Sequence, residues 1–461
     1  MTALLCALAS GASFYLSTDL GAFWPLAWFA PIPVLWLAFG PARGWTVFFV
    51  AWAAGAIGGL NLLPAYAGTL PAPALALAII GPGLFFAASV IGARFVAQRL
   101  SPVAGILAFA ALWTAWDYLA AQGPNGAAFS PAYSQVGMPF LIQGASVFGV
   151  WVVTFLIGIV SAGLAMSLKT KRVPFAVLAI ALFVANAGYG TWRIVTAPKT
   201  PVVHVGLGVD DALADASFKA DEKTALGAMS AYADAARTLA AQGASLIVFP
   251  EKVAVLEPEW RGAVRAEFET VAHLTQTTIV IGFDDRGALR QNNALIFFGN
   301  GAPPQIYTKR RLVPGLESAF EPGQASFMLS NRTAVAICKD MDFPVMLRRD
   351  AILHPMLFAV PAWDFDRDRW WHARLAIMRG VENGFAVARS AKDGLLTLSD
   401  AYGRVIAEKR SEPGGMVMLV GDLPRGPGTT LYATIGDAFA WLCAGLSLLL
   451  LGVAFLAPKR S

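Results

Sequence analysis

The sequence predicts a multi-span α-helical membrane domain joined to an extramembrane α/β domain built as a layered sandwich. Two observations lead to this fold class. Of the 461 residues, 56% are hydrophobic and only 14% are charged, and the mean hydropathy of +0.57 is above the range of soluble globular proteins. Within this apolar chain, the segment 195–433 alternates strand-like and helix-like patterns, as α/β domains do.

Eight apolar stretches are long enough to cross a bilayer as helices. They cover residues 3–18, 24–40, 44–66, 72–97, 102–121, 145–168, 173–193 and 434–457. We therefore expect a membrane domain over residues 1–194 with about seven transmembrane helices, the α/β domain over 195–433, and a C-terminal transmembrane helix with a short cytoplasmic tail over 434–461. A cleaved signal peptide is the alternative for the first stretch, but no Lys or Arg precedes Arg43, which favours a retained helix.

Cations are distributed unevenly between the predicted spans. With the N-terminus in the cytoplasm, the cytoplasmic loops and tail carry Arg43, Arg94, Arg99, Lys169, Lys171, Arg172, Lys459 and Arg460. The short loops on the other side, near Asp19, 64–72 and 122–140, contain no Lys or Arg. Because cytoplasmic loops are enriched in Lys and Arg, this pattern predicts that the α/β domain lies outside the cytoplasm.

Strands and helices alternate along the α/β segment. Continuously apolar runs such as SLIVF are typical of strands buried on both faces. The predicted strands are PVVHVGLGV, SLIVF, TTIVIGF, NNALIFF, PQIYTK, TAVAIC, MLFAVP and FAVARS, and the predicted helices lie near 221–242, 258–276, 344–353 and 367–383. The Gly- and Pro-rich residues 411–428 predict a connection back to the last span.

Several classes of function are disfavoured by the residues present. The net charge of +5 includes the loop cations above, and the α/β segment has no basic run, so we expect no nucleic-acid partner. Its histidines, His204, His273, His354 and His372, lack metal-ligand spacing, and His372 is interpreted as a helix-surface residue. We expect neither a metal nor a cofactor.

Three chemically reactive residues follow apolar β-type runs. Glu251 ends ASLIVFPE, Lys309 ends PPQIYTK, and Cys338 ends RTAVAIC. Since equivalent strand ends meet, we expect the three side chains to converge on one edge of a sheet. Each also has a plain structural interpretation: a solvated loop acid, a surface cation and a buried structural cysteine. Cys6 and Cys443 lie in predicted spans, so neither is expected to form a disulfide with Cys338.

Together the three residues meet the needs of acyl transfer through a thiol. A thiol with a reference pKa of about 8.5 is mostly protonated at neutral pH, so a nearby base must take its proton. Glu251 is the candidate base. A tetrahedral intermediate also needs positive charge and N–H donors at its oxyanion, which Lys309 and the backbone N–H of Lys339 can supply.

The segments around these residues resemble a known family. Glu251, Lys309 and Cys338, in this order after the strands of SLIVFPE, YTKRRLVP and AVAICKD, resemble the nitrilase (carbon-nitrogen hydrolase) superfamily. With membrane helices on both sides, the chain resembles the apolipoprotein N-acyltransferase family. The resemblance implies a nitrilase-like α-β-β-α sandwich with Glu251 as general base, Lys309 as oxyanion-stabilising cation and Cys338 as nucleophile. It also implies that Glu317 orients the lysine or binds near the thiol, and that Asp340 stands where the family usually has glutamate.

The family's activity sets the expected function. The resemblance implies an enzyme of the cell inner membrane, with its catalytic domain on the periplasmic side, and we expect a monomer. It would move a fatty acyl chain from a phospholipid, through a cysteine thioester, to the N-terminal amine of diacylglyceryl-cysteine apolipoproteins. Aromatic residues Phe365, Trp370 and Trp371 are candidates for the lipid entrance, or equally for core packing.

One departure from the family keeps an alternative open. Typical members have Cys-Tyr-Glu at the nucleophile, whereas this chain has Cys338, Lys339 and Asp340. This favours, as a second hypothesis, a membrane-tethered nitrilase-like amidase that hydrolyses a small amide. A scaffold or transporter-like protein is disfavoured because all three reactive residue types are present and charges are scarce in the spans.

Overall fold

The structure is a computed structural model that describes residues 1–458; Lys459 and Arg460, two of the predicted cytoplasmic cations, lie outside the described residues. The chain forms two compact units, one of Met1–Ala197 with the chain from Ile435 onward, the other of Pro198–Thr434. The helices are α1 (Thr2–Ser17), α2 (Pro25–Phe29), α3 (Ile32–Ala38), α4 (Gly44–Gly59), α5 (Leu63–Tyr66), α6 (Ala72–Arg99), α7 (Pro102–Ala120), α8 (Pro139–Ile142), α9 (Ala145–Phe148), α10 (Trp151–Thr170), α11 (Val173–Val195), α12 (Glu222–Ala241), α13 (Pro258–Thr275), α14 (Pro344–Asp350), α15 (Arg369–Asn383), α16 (Leu431–Ile435) and α17 (Ala438–Leu456).

Six helical segments within residues 1–458 are long and apolar enough to cross a bilayer. They are Gly44–Tyr66, α6, α7, α10, α11 and α17. Helix α1 and the α2–α3 pair are shorter, so the expected total of eight spans remains a prediction. Two glycines allow α4 and α6 to approach closely, because a Cβ on Gly55 of α4 would lie only 2.4 Å from the Cα of Gly83 in α6.

One predicted helix start is wrong. The span expected to begin at residue 145 is divided into α9 and α10, and α10 begins at Trp151. The break falls at Gly149, which has a φ of 74°. This left-handed conformation suits glycine and interrupts a right-handed helix. The apolar residues continue through Gly149, but the helix does not.

The second unit contains two sheets. Its strands are β1 (Val202–Val209), β2 (Leu246–Val248), β3 (Val255–Leu256), β4 (Thr278–Arg286), β5 (Arg290–Phe297), β6 (Gln305–Thr308), β7 (Thr333–Val335), β8 (Leu357–Trp363), β9 (Ala386–Lys392), β10 (Leu395–Ser399), β11 (Val405–Arg410) and β12 (Val417–Pro424). The first sheet has the order β12-β1-β2-β4-β5-β6, with β3 beside β4, and the second has the order β11-β10-β9-β8-β7.

Four layers result from the burial of apolar faces. The inner faces of the two sheets share one core, which includes Val248 of β2 and Ala359 of β8. Helices α12 and α13 cover the outer face of the first sheet, and α14 and α15 cover the second. The predicted α-β-β-α layered sandwich is therefore confirmed.

The connection expected over residues 411–428 is wrong in part. Strand β12 lies within it and pairs antiparallel with β1, from Val202 opposite Pro424 to Val209 opposite Val417. The Gly- and Pro-rich residues on either side of β12 favoured a loop. The segment MVMLV nevertheless forms a strand, because its backbone N–H and C=O groups bond to those at the edge of β1. The sequence pattern also did not predict β10 and β11.

Candidate active site

The three predicted reactive residues follow strands from two sheets. Glu251 comes shortly after β2 and Lys309 directly after β6, both in the first sheet. Cys338 follows β7 of the second sheet and begins a 3₁₀ turn, Cys338–Asp342. The expectation that all three lie on the edge of one sheet is therefore wrong. Local apolar patterns predict a strand but not its sheet, and face-to-face packing of the two sheets brings the thiol to the other two groups.

Cys338 occupies an unusual backbone conformation. Its φ is 44°, in the left-handed region that non-glycine residues seldom adopt. The thiol Sγ is 3.4 Å from the backbone oxygen of Trp363, at the end of β8, to which it donates. Burial raises the pKa of this thiol, and the nearby negative charge of Glu251 raises it further, against the opposing effect of Lys309. The resting thiol is therefore protonated at neutral pH and needs a base before it can attack.

Lys309 lies between two carboxylates. Its side chain is 1% exposed, and its Nζ donates to Glu251 Oε1 at 2.8 Å and to Glu317 Oε2 at 2.9 Å. Burial opposes the charge, but the two carboxylates raise the pKa of Lys309 well above its usual value. An ammonium has three N–H donors, and these contacts use two of them. The third is available to a reacting oxygen.

Glu251 keeps one oxygen free. Its Oε1 accepts from Lys309 and from Asn292 Nδ2, and Lys252 Nζ lies 3.6 Å away. Its Oε2 is buried and has no hydrogen-bond partner among residues 1–458. A buried carboxylate oxygen without a donor is costly, and functional sites are where such groups are found. This oxygen is therefore available as a hydrogen-bond acceptor.

Glu317 holds the lysine in place. Its Oε2 accepts from Lys309 and, at 2.8 Å, from the backbone N–H of Val313. Its Oε1 accepts from Lys252 Nζ at 2.8 Å and from Asn292 Nδ2 at 3.1 Å. Burial opposes ionisation, but the charges of Lys309 and Lys252 hold the pKa of Glu317 well below its usual range. Glu317 thus contacts the lysine, one of the two positions considered for it from the sequence.

Asp340 joins the loop of Lys309 to the loop of Cys338. Its Oδ1 accepts from the backbone N–H groups of Arg310 and Arg311, at 3.1 and 2.8 Å. Its Oδ2 accepts from Tyr307 Oη at 2.6 Å and from the N–H of Ile337 at 2.9 Å. Asp340 is fully buried, so each of these bonds is shielded from water. The carboxylate fixes the residues on either side of the lysine and the residue before the thiol.

The remaining predicted supporting residue is Lys339. Its Nζ lies 3.4 Å from Asp342 Oδ2, so its charge is directed along the 3₁₀ turn. The side chain is 9% exposed and the residue as a whole is buried.

Sequence reasoning missed several charged or polar groups in this site. Asn292 bridges Glu251 and Glu317, and Lys252 contacts both. A buried ion pair of Asp364 and Arg389 influences the thiol electrostatically. The Asn doublet of NNALIFF was the available signal, because an amide inside an apolar strand needs a buried partner.

Lys392 is a further missed group. Its Nζ donates to the backbone oxygen of Lys252 at 2.8 Å and lies 3.5 Å from the centre of the Trp363 ring. Burial, with repulsion from Lys252, lowers the pKa of Lys392 to about 7. The side chain thus connects the end of β9 with the backbone of the residue that follows Glu251 and with the ring of Trp363.

One histidine differs from its predicted setting. His372 is not a simple helix-surface residue, since its side chain is 19% exposed and its Nε2 lies 3.1 Å from Asp368 Oδ2. Burial opposes protonation, but Asp368 raises the pKa of His372 to about 9. Among the aromatic candidates, Trp371 is buried, which supports core packing, whereas Phe365 is 37% exposed. No cluster of metal-ligating side chains occurs within residues 1–458.

Comparisons with known proteins cover both units. The family model described as "Apolipoprotein N-acyltransferase N-terminal domain" matches residues 10–163, and the model described as "Carbon-nitrogen hydrolase" matches residues 212–421. The apolipoprotein N-acyltransferase of Azotobacter vinelandii is 27% identical over 99% of this chain and 95% of its own length. The apolipoprotein N-acyltransferase of Pseudomonas syringae is 26% identical over 99% of this chain and 97% of its own length. That of Geobacter metallireducens is 24% identical over 98% of this chain and 95% of its own length.

Among solved structures, a nitrilase-superfamily amidase from Nesterenkonia AN1 is 22% identical and covers 54% of this chain and 98% of its own, with a TM-score of 0.41. The first family model matches residues of the membrane unit, and the second matches residues of the α/β unit. The chain belongs to the apolipoprotein N-acyltransferase family.

Proposed function

We propose that this protein transfers a fatty acyl chain from a phospholipid to the N-terminal amine of diacylglyceryl-cysteine apolipoproteins, through a thioester on Cys338. The relatives over nearly the whole chain carry the name apolipoprotein N-acyltransferase. The observation that carries the assignment of roles is the buried group of Glu251, Lys309 and Cys338. In that group one carboxylate oxygen and one ammonium N–H are uncommitted within the described residues.

The first half-reaction forms the thioester. Glu251 Oε2 accepts the thiol proton, and Cys338 Sγ attacks the carbonyl carbon of the phospholipid ester. The free N–H of Lys309 and the backbone N–H of Lys339 stabilise the oxyanion. When the intermediate collapses, the C–O bond breaks and Glu251 returns the proton to the leaving alkoxide. The products are a thioester and a lysophospholipid.

The second half-reaction consumes the thioester. The α-amine of the diacylglyceryl-cysteine attacks the thioester carbonyl, and Glu251 accepts the proton that the amine loses. The C–S bond breaks, the thiolate of Cys338 takes the proton back, and an amide remains. The two steps use the same base and the same oxyanion donors, so one site serves both.

A phospholipid donor suits an enzyme that is itself a membrane protein. Moving an acyl chain of about fifteen methylenes into water would cost on the order of 12 kcal/mol, at about 0.8 kcal/mol per methylene. Six helical segments within residues 1–458 are apolar enough to span a bilayer, so the protein meets such donors where they reside. This supports the phospholipid, and not a soluble acyl carrier, as donor.

We further propose a monomer of the cell inner membrane with its catalytic unit on the periplasmic side. The distribution of cations supports this orientation, because the loops assigned to the outer side near 64–72 and 122–140 lack Lys and Arg. One chain supplies the base, the cation and the nucleophile, which supports a site that is complete in a monomer.

The test is incubation of the purified protein with phospholipid labelled in its acyl chains, followed by intact-mass measurement and peptide mapping. We expect one acyl adduct on Cys338 in the wild type and none in Cys338→Ala. Cys443→Ala is the matched control, because it removes a thiol from helix α17 and should leave the adduct unchanged. Turnover of small amides without any adduct from phospholipid would refute the proposal in favour of an amidase.

A further inference from the structure

Lys392 is a buried cation to which the proposed chemistry gives no role. It is the last residue of β9, and its Nζ donates to the backbone oxygen of Lys252 at 2.8 Å and to the hydroxyl of Ser217. Among residues 1–458, no carboxylate forms an ion pair with this ammonium, although lysines are seldom fully buried without such a partner. Burying an unpaired charge is costly, so its presence beside the active site points to a function.

The contacts of Lys392 lie next to both the base and the thiol. Its hydrogen bond to Lys252 fixes the carbonyl group directly after Glu251, where the backbone of Lys252 has a φ of 49°. This left-handed conformation is unfavourable for lysine, so the turn needs contacts that hold it. On the other side, Nζ lies 3.5 Å from the centre of the ring of Trp363, whose backbone oxygen accepts from the thiol of Cys338. One side chain therefore contacts the residue after the base and the residue that binds the thiol.

The charged groups that face Lys392 come from several parts of the chain. They are Glu251 and Lys252 after β2, Asp211 at the start of the 3₁₀ turn Asp211–Ser217, and Asp393 directly after β9. Beyond the end of β8, the charge of Asp364 is paired with Arg389. Burial, with repulsion from Lys252, lowers the pKa of Lys392 to about 7, against the attraction of the acids. The side chain therefore changes its charge within a pH range in which acylation can be measured.

We propose that Lys392 is a positioning residue for the acyl transfer, and that its ammonium form holds Glu251 as the base for Cys338. This inference rests on the function proposed above. A charged donor forms a stronger hydrogen bond than a neutral one, so the ammonium fixes the carbonyl of Lys252 more firmly than the free amine does. Its positive charge also favours the ionised carboxylate of Glu251, which is the form that accepts a proton. Loss of the proton from Lys392 weakens both effects.

The test compares acylation of Cys338 in the wild type and in Lys392→Met, with full-length protein and labelled phospholipid, between pH 6 and pH 8.5. Methionine has nearly the same length as lysine but has neither a charge nor an N–H donor. We expect Lys392→Met to slow single-turnover acylation about ten-fold or more at pH 6, and by no more than about three-fold at pH 8.5, where the wild-type lysine is mostly neutral. The ratio of the two rates at each pH removes the pH dependence that both proteins share.

A thermal melt of each variant separates this role from a contribution to folding. Because methionine replaces a buried charge that has no carboxylate partner, Lys392→Met should unfold at or above the wild-type temperature. Lys392→Gln is the second variant, since it keeps an N–H donor but cannot be charged, and its rate should also approach the wild-type rate as the pH rises. Lys409→Met is the matched control. Lys409 is exposed and also donates to a backbone oxygen, that of Met418 at 3.4 Å, so this variant should be acylated at the wild-type rate at every pH.

Two results would overturn the proposal. One is a ratio of rates that stays constant between pH 6 and pH 8.5, because a purely structural lysine acts independently of its charge. The other is a wild-type rate in both Lys392 variants. Alkylation of Cys338 by iodoacetamide gives the same ratio without phospholipid, and we expect the same convergence of the rates as the pH rises. If the wild type forms no acyl adduct, the proposed function fails, but the alkylation ratio still decides the role of Lys392.

Discussion

Glu317→Gln tests whether the lysine is held by a second carboxylate. The substitution keeps the shape but replaces one oxygen with an NH₂ group. Either oxygen of Glu317 accepts two hydrogen bonds, one of them from a lysine, so the amide group faces two donors wherever it lies. Losing one charged and one neutral hydrogen bond costs about 2.5 to 4 kcal/mol, at about 1.5–3 kcal/mol for the charged bond and about 1 kcal/mol for the neutral bond.

The cost should appear in both stability and rate. We expect the thermal unfolding midpoint of the α/β unit to fall, and the rate of Cys338 acylation to fall on the order of 10- to 100-fold. That is less than the 10²–10³-fold effect of removing an oxyanion donor, because Lys309 still contacts Glu251.

The assay measures acyl-enzyme formation by intact mass after rapid mixing with phospholipid micelles, together with a thermal melt of each variant. Glu321→Gln is the matched control, since Glu321 is an exposed acid four residues further along the chain. Acylation at the wild-type rate by a folded Glu317→Gln protein would refute the reasoning, because Lys309 would then need no second carboxylate.

Three further predictions follow from the same site. Gly282→Ala should abolish acylation, because the new Cβ would lie 2.7 Å from the Cα of Glu251. Its control is Gly262→Ala, where the new Cβ has open space and should raise the free energy of unfolding by about 0.5–1 kcal/mol. Single-turnover acylation and thermal melts measure both variants. Asn292→Ala should slow acylation about ten-fold or more by freeing the carboxylate of Glu251, and a wild-type rate would contradict its positioning role. Burial and the charge of Glu251 raise the pKa of the Cys338 thiol, so its alkylation by iodoacetamide should keep accelerating well above pH 9. Glu251→Gln removes the negative charge and should shift this rise in rate to lower pH. A plateau near pH 8.5 in the wild type would contradict this prediction.

The sequence was sufficient to predict the layers and the reactive residue types. Strands such as SLIVF and TAVAIC are continuously apolar because both of their faces are buried, and this property is local. The polar residue that follows each run marks the strand end. For the same reason Glu251, Lys309 and Cys338 were identified without any knowledge of which strands pair.

Features that depend on pairing were not predictable. The contact of Asn292 with Glu251 requires β5 to pair antiparallel with β4, with Asn292 opposite Asp284. The site spans two sheets because β7 pairs with β8, and no local pattern encodes that choice. Strand β12 was missed because its hydrogen-bond partner, β1, lies more than two hundred residues earlier. The roles of Lys252 and Glu317 likewise follow from three-dimensional proximity.

The central claim is that the thioester on Cys338 passes its acyl chain to an amine and not to water. The most direct measurement isolates the acyl-enzyme, removes excess phospholipid, and follows its mass with and without a diacylglyceryl-cysteine peptide. The account predicts a thioester that persists in buffer and disappears on addition of the peptide, with the acyl chain recovered on the peptide's N-terminal amine. Discharge in buffer at the same rate, with free fatty acid as product, would contradict it.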